Sequence, residues 1–270
     1  MSTSIDTSTA SDAPVLHRRD VRGVHVLTLN QPRSFNVLSE QVLGELQRRI
    51  DLIAADEQAR VLVIAAEGKA FCAGHDLKQM KASPRLDYYQ DLFGQCSRVM
   101  VSLLKLPIPV IARVQGLATA AGCQLVAQCD LAVSVDSARF GVNGIDVGLF
   151  CSTPSVPLVR NMQPKQAMEM LLTGGFISAA EAQARGLVNR VVPAEQLDAT
   201  VEELVAAILA KPRAAIAVGK ELFYRQRELG IEAAYQLAGQ TMSCNMMLEV
   251  AQEGLQAFID KREPAWRKAG

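Results

Sequence analysis

Ala70-Phe71-Cys72-Ala73-Gly74-His75-Asp76-Leu77-Lys78 follows the apolar run Val61-Leu62-Val63-Ile64-Ala65-Ala66 and leads into a helix-like segment. A second stretch of the same build lies downstream. There Pro109-Val110-Ile111-Ala112-Arg113-Val114 passes through Gly116 into Thr119-Ala120-Ala121-Gly122-Cys123-Gln124. Twice a buried strand ends in a small-residue turn that opens a helix. Small side chains let a ligand approach the backbone closely. A helix start leaves N–H groups unpaired, with the positive end of the dipole behind them. Two such ends facing one another would hold an oxygen that becomes negative during a reaction.

The rest of the chain supplies an α/β frame for these turns. Leu16 to Arg19 and Val24 to Leu29 read as strands around a turn at Asp20 to Gly23. Val42, Leu46, Ile50 and Ile53 recur at helical spacing after Ser39, a candidate N-cap. The pattern then predicts a strand over 61–66, a helix over 88–105, a strand over 110–114, a helix over 119–128 and a strand over 131–135. Ser178-Ala179-Ala180-Glu181 is a capping-box pattern whose helix ends at Arg185-Gly186, with a strand over 187–192 stopped by Pro193. From Glu195 onward the pattern is helical, broken at Pro212 and Gly230. Alternating strands and helices imply a parallel sheet with crossover helices. The reading is a tail over 1–14, flexible and rich in Ser, Thr and Ala, an α/β core over 15–200, and a helical region over 201–270.

Composition narrows the function classes. The chain has 270 residues, 49% of them hydrophobic, with 28 Lys and Arg against 28 Asp and Glu. A net charge of zero argues against a nucleic-acid surface or an anionic membrane as the main partner. No apolar run approaches the roughly 18 residues of a membrane span. The six cysteines, Cys72, Cys96, Cys123, Cys129, Cys151 and Cys244, form no CxxC pair, and His17, His25 and His75 lie far apart. Buried free thiols, a reducing compartment, a cytoplasmic location and no metal site are expected.

The quoted runs closely resemble the two signatures of the enoyl-CoA hydratase/isomerase family, the crotonase superfamily. Leu27 to Pro32, Phe140-Gly141, Thr173-Gly174 to Val192-Pro193 and Gln252-Glu253-Gly254 to Lys261-Arg262 fit in the same order. The resemblance thus covers the chain from Val15 to Trp266. It implies a crotonase (ClpP-like) spiral of β-β-α units with a C-terminal helical region that builds trimers or dimers of trimers. It also implies an acyl-CoA thioester as substrate, with no cofactor beyond the CoA moiety itself.

In this family two backbone N–H groups grip the thioester oxygen, and they map to His75 and Ala121. Ala73, His75, Asp76, Leu77 and Lys78 fall on the CoA-contact run, while Phe258 and Lys261 match residues that touch adenine or phosphates. Asp76 also reads as a helix cap. Hydratases of the family carry a glutamate in a Gly-Cys-Glu-Leu run and another in a Phe-Gly-x-Pro-Glu run. This chain reads Gly122-Cys123-Gln124-Leu125 and Phe140-Gly141-Val142-Asn143-Gly144. An amide cannot take up a proton near neutral pH, and glycine has no side chain to do so. Each lost acid–base group removes a factor of about 10² to 10⁴. Weak or absent hydration follows, with rescue expected from Gln124→Glu combined with Gly144→Glu, limited by any backbone angle that only glycine tolerates.

Cys151 and Ser152 occupy the stretch where relatives carry other catalytic groups. Dienoyl-CoA isomerases and chlorobenzoyl-CoA dehalogenases place an aspartate near Ser152, and methylmalonyl-CoA decarboxylase-like members a tyrosine near Cys151. Those decarboxylases share the Ala-Gly-His-Asp run. The plainer reading of Ser152-Thr153-Pro154 is a helix start. Asp146 is the nearest carboxylate after Gly144, and strand-like alternation would turn it away from its neighbours. Three alternatives therefore stand beside a family hydratase: a malonyl-type decarboxylase, an isomerase, and a non-catalytic acyl-CoA binder.

Overall fold

The apolar run at 61–66 is buried at all six positions, as a central parallel strand covered on both faces must be. The computed structural model describes residues 13–267. Residues 1–12 of the expected tail lie outside it, and its last two residues are pinned. The Asn30 side-chain amide donates to the Ala13 carbonyl at 3.0 Å, and the Asn30 N–H to the Pro14 carbonyl at 2.9 Å. Strands β1 (Val15–Arg19) and β2 (Val24–Leu29) form the hairpin that the sequence predicts. Helix α1 (Glu40–Ala54) starts at Ser39, whose hydroxyl accepts the Val42 N–H. Its stripe of Val42, Leu43, Leu46, Ile50 and Ile53 is buried. Each such aliphatic contributes about 1.5–3 kcal/mol on full burial.

Strands β3 (Val61–Ala66) and β4 (Ala70–Cys72) lead to α2 (Leu77–Ala82) and the long α3 (Leu86–Lys105). Strands β5 (Val110–Val114) and β6 (Leu117–Thr119) lead in the same way to α4 (Ala121–Gln128). Then come β7 (Leu131–Val135), β8 (Arg139–Gly141), α5 (Ser152–Asn161), α6 (Pro164–Thr173), β9 (Ile177–Ser178), α7 (Ala179–Ala184) and β10 (Arg190–Val192). The repeated unit is two strands and a helix. One strand of each pair enters a six-stranded sheet, ordered β1-β2-β3-β5-β7-β10 and parallel except for β1. The other enters a short sheet, ordered β4-β6-β8-β9. This is a spiral of crotonase type.

Several element boundaries differ from the sequence reading: β1 starts at Val15, α3 at Leu86, the C-terminal helical run has a further break at Met247-Leu248, and two differences have a clear local cause. Thr119 closes β6 and does not open a helix, because Ala120 takes φ 50°, ψ −121° and α4 begins only at Ala121. The strand expected over 187–192 shrinks to Arg190–Val192. Leu187 and Val188 spend their N–H groups on the Ala182 carbonyl, closing α7 instead of pairing with β7. The capping box at Ser178 and Glu181 forms as expected.

Helix α8 (Leu197–Leu209) runs through the boundary expected at 200/201. It belongs to the core, burying Leu197, Val201 and Val205. Helices α9 (Arg213–Gln226), α10 (Ile231–Met246) and α11 (Glu249–Ile259) bury almost nothing, only Ala234 and Ala257. A polar lock ties α9 to the core. Lys220 donates to Asp130 at 2.7 Å and to the Leu103 and Ile108 carbonyls, while the Tyr224 hydroxyl and the Val110 N–H also donate to Asp130. Burial lowers the Lys220 pKa, and Asp130 opposes that shift. Removing one partner from such a buried pair costs about 3–5 kcal/mol. Five of the six cysteines are buried, as expected, but Cys244 on α10 is exposed; all six are free. Among the described residues no helix is long and apolar enough to cross a membrane.

Candidate active site

The two quoted turns touch. Strands β4 and β6 run parallel, with Ala70 opposite Leu117 and Cys72 opposite Ala118, so both end at the same level. The first turn relies on Gly74 at φ +90°. The Gly74 carbonyl accepts the Leu38 N–H at 2.7 Å and Ala73 donates to the Phe35 carbonyl at 3.0 Å, which clamps the turn from outside. The second turn is held by Ala120, which donates to the Gly141 carbonyl at 2.9 Å. A Cβ at Gly74 would lie 2.9 Å from the Ala120 Cβ and 3.3 Å from the Ala121 nitrogen. A Cβ at Gly122 would lie 2.0 Å from the Cys72 carbonyl oxygen, so α4 can approach β4 only with glycine there. Neither His75 nor Ala121 donates its backbone N–H to an acceptor among the described residues. Ala121 is the first residue of α4, where an orphan donor is inherent.

Both turns open onto a cavity of about 480 Å³. Of the residues singled out from sequence, Ala73, His75, Leu77, Ala121, Gly144, Cys151 and Ser152 line it. Its apolar wall includes Met80, Phe93, Leu149 and Phe150, and among the described residues no charged side chain lines it. A larger cavity of about 1140 Å³ lies between the main sheet and α8. Of its cations, Arg18, Arg22 and Arg113, the last two are committed to Asp20, Glu202 and Asp198, and neither turn reaches it.

The His75 ring is oriented by two contacts. Its Nδ1 lies 3.3 Å from the Leu38 carbonyl, which can only accept, so Nδ1 carries the proton. Phe93 meets the ring edge-on, with centroids 5.4 Å apart. Burial lowers the His75 pKa, the Leu38 hydrogen bond opposing, so the ring is neutral and its buried Nε2 has no protein partner. The Cys151 sulfur accepts the Gly144 N–H at 3.3 Å. Burial raises the pKa of that thiol against this hydrogen bond, which keeps it protonated at neutral pH. Ser152 opens α5 and turns its hydroxyl to the Phe150 carbonyl, so the helix-start reading describes its geometry.

Other expected residues are not at the cavity. Gln124 is buried within α4, away from the lining, and its Oε1 lacks a protein partner. Asp76 caps α2, accepting the Lys78 and Gln79 N–H groups, and neither Asp76 nor Lys78 lines the cavity. Asp146 turns away; its Oδ1 sits where a Cβ at Gly174 would approach within 2.8 Å. Phe258, 83% exposed, and Lys261 also lie elsewhere in this protomer. Lys261, at φ 53°, is the left-handed residue that ends α11, with Lys261 N–H to Phe258 and Arg262 N–H to Ala257 closing the helix. The rescue expected from Gly144→Glu also needs revision. The obstacle is space, not backbone angle. Gly144 is outside the positive-φ set, but a Cβ there would lie 2.6 Å from the Leu149 carbonyl oxygen and 2.8 Å from the Cys151 sulfur.

Sequence reasoning passed over Thr119 and Asn143. Both line the cavity, and the Thr119 hydroxyl donates to Asn143 Oδ1 at 2.6 Å. The signal available was a polar residue, Asn143, where the quoted family run has proline.

The chain belongs to the enoyl-CoA hydratase/isomerase family, whose sequence pattern matches residues 19–269. Over 256 residues it is 44% identical to mouse (Mus musculus) enoyl-CoA hydratase domain-containing protein 3, mitochondrial, covering 95% of this chain and 85% of that protein. The crystal structure of the human protein of that name superposes with a TM-score of 0.90 at 43% identity, covering 94% of this chain and 100% of that one. An enoyl-CoA hydratase from Mycobacterium smegmatis superposes with a TM-score of 0.93 at 58% identity, covering 94% and 99%. The family read from the quoted motifs, and its fold, are therefore those of this chain. The mitochondrial location belongs to the relatives' names, and the cytoplasmic expectation gains nothing from them.

Proposed function

We propose that this chain is an acyl-CoA thioester enzyme in which the His75 and Ala121 N–H groups hold the thioester oxygen and stabilise an enolate, with hydration of enoyl-CoA weak or absent. The observation that carries the reading is the contact between the two turns, with both N–H groups free of protein acceptors. Losing one such donor typically costs about 2.7–4 kcal/mol of transition-state stabilisation. Weak hydration is supported by a cavity wall without a carboxylate, since adding water to an alkene needs groups that give and take protons. This leaves lyase or isomerase chemistry through the enolate, with the unpartnered His75 Nε2 in the cavity lining as the group that takes the C2 proton. A malonyl-type decarboxylase has less support, because among the described residues no cation lines the cavity to hold a second carboxylate.

Self-association as a trimer or a dimer of trimers is part of the proposal. Its support is the exposed apolar set Ile231, Tyr235, Met242, Met247, Phe258 and Ile259 on and beside α10 and α11. Of the localisation reading, the free thiols support a reducing compartment and nothing finer.

The test is solvent deuterium exchange at C2 of butyryl-CoA, followed by NMR, beside crotonyl-CoA hydration. Exchange with slow hydration is expected. Rapid hydration by the wild type would overturn the weak-hydration reading, and absence of both binding and exchange would overturn the acyl-CoA reading.

A further inference from the structure

We propose that Asn143 is a specificity-determining residue, its side-chain N–H binding an uncharged oxygen on the acyl group beside the thioester, at C3. The proposal rests on the acyl-CoA reading above.

The amide orientation follows from distance. Thr119 Oγ1 and the Asn143 acceptor are 2.6 Å apart, a separation typical of O–H···O and short for N–H···O. The Thr119 hydroxyl therefore donates to Asn143 Oδ1, which turns Nδ2 the other way. Among the described residues nothing accepts from Nδ2, and Asn143 lines the cavity. This amide is a held donor without a protein partner.

Its place follows from the chain. Thr119 ends β6 two residues before Ala121, within roughly 7 Å even if that stretch were fully extended. Thr119 is paired with Gly141, two residues before Asn143, and Ala120 donates to the Gly141 carbonyl. The same short ladder thus carries the Ala121 N–H and the Asn143 amide. With the thioester oxygen on the two backbone donors, the next acyl atoms within reach of Nδ2 are those just beyond the carbonyl. Nδ2 can only donate, so its partner is an acceptor. The absence of a lining cation among the described residues favours a hydroxyl or carbonyl oxygen over a carboxylate. Thr119 acts through Asn143 and is a positioning residue.

The experiment is isothermal titration with two esters of equal length, butyryl-CoA and 3-hydroxybutyryl-CoA, the latter as each enantiomer. Wild type should bind one hydroxy enantiomer roughly five- to tenfold more tightly than butyryl-CoA, the scale of one hydrogen bond. Asn143→Ala and Thr119→Val should bring that ratio below about twofold, while Thr119→Ser keeps it. Affinity for butyryl-CoA, which has no oxygen at C3, should stay within about twofold throughout and so controls for folding. Equal wild-type affinity for all esters overturns the proposal and leaves the acyl-CoA reading intact. So does a ratio that survives Asn143→Ala. Binding of none of the esters overturns the acyl-CoA reading, and this proposal with it.

Discussion

The two turns at the cavity do the same work by different means. The first uses glycine, and Gly74 at φ +90° is in a conformation that costs it little. The second uses alanine at φ 50°, ψ −121°, the angles of the first central residue of a type II′ turn, a place glycine dominates. Strain of this kind costs about 1–3 kcal/mol and persists where the surroundings over-determine it. Here the surroundings are the Ala120 N–H bond to Gly141 and the Gln124 N–H bond to the Ala120 carbonyl. The two turns are also complementary. The Ala120 methyl fills the space that the missing Cβ of Gly74 leaves. One turn is relaxed because it has no side chain, and the other is packed because it has one.

The comparison breaks most severely at Gly122, where both turns meet backbone to backbone. Gly122→Ala puts a Cβ 2.0 Å from the Cys72 carbonyl oxygen, and neither strand nor helix can yield. A loss of about 4 kcal/mol or more is expected, read as the urea midpoint. A loss below about 1 kcal/mol would mean that α4 does not sit this close to β4. Gly74→Ala comes next, with about 2–4 kcal/mol lost to the positive φ and the Ala120 contact, and with acyl-CoA affinity falling as well. Combining it with Ala120→Gly should recover part of the loss, because the contacting methyl is gone. Strict additivity of the two changes would refute the complementarity.

Ala120→Gly alone should act in the opposite direction. Relief of the strained angle outweighs the extra freedom of glycine in the unfolded chain, for a net gain of about 1 kcal/mol. A clear loss on thermal unfolding would show that the methyl contact matters more than the angle.

The smallest effect is in pH, and only the first turn carries a titratable group. His75 has its pKa lowered from 6.5 by burial, so the folded state takes up the proton later than the unfolded state. Its contribution to stability is present above about pH 6.5 and is lost as pH falls toward the folded value. His17, pushed down to about 4, and His25, also lowered, add an acid limb of the same sign. The His75 share is therefore the difference between wild type and His75→Gln. Urea titrations at intervals between pH 7 and 5 should give a shallower slope for the variant. Coincident slopes would mean that the ring is not held neutral by the fold.

The sequence alone determined the α/β frame, the family, and both small-residue turns. It also determined the cap at Ser39 and the capping box at Ser178. These rest on short-range rules, such as apolar period, cap chemistry and glycine placement, which act within one turn or one strand. Tertiary structure decided what depends on distance in space. It drew Thr119 out of the expected helix and into β6, because β8 supplies a pairing partner and Ala120 must turn. It removed Gln124 and Lys78 from the cavity wall, since the direction of a helical side chain depends on where the helix docks. It brought in Asn143, which adjacency in the chain could not connect to Thr119, 24 residues earlier. Phe258 and Lys261 match a motif, yet in one protomer they stand away from the cavity, because α11 is held to the core by little of its own surface. A motif records which residue types a site needs. Where their side chains meet is set by long-range packing, which short-range rules do not reach.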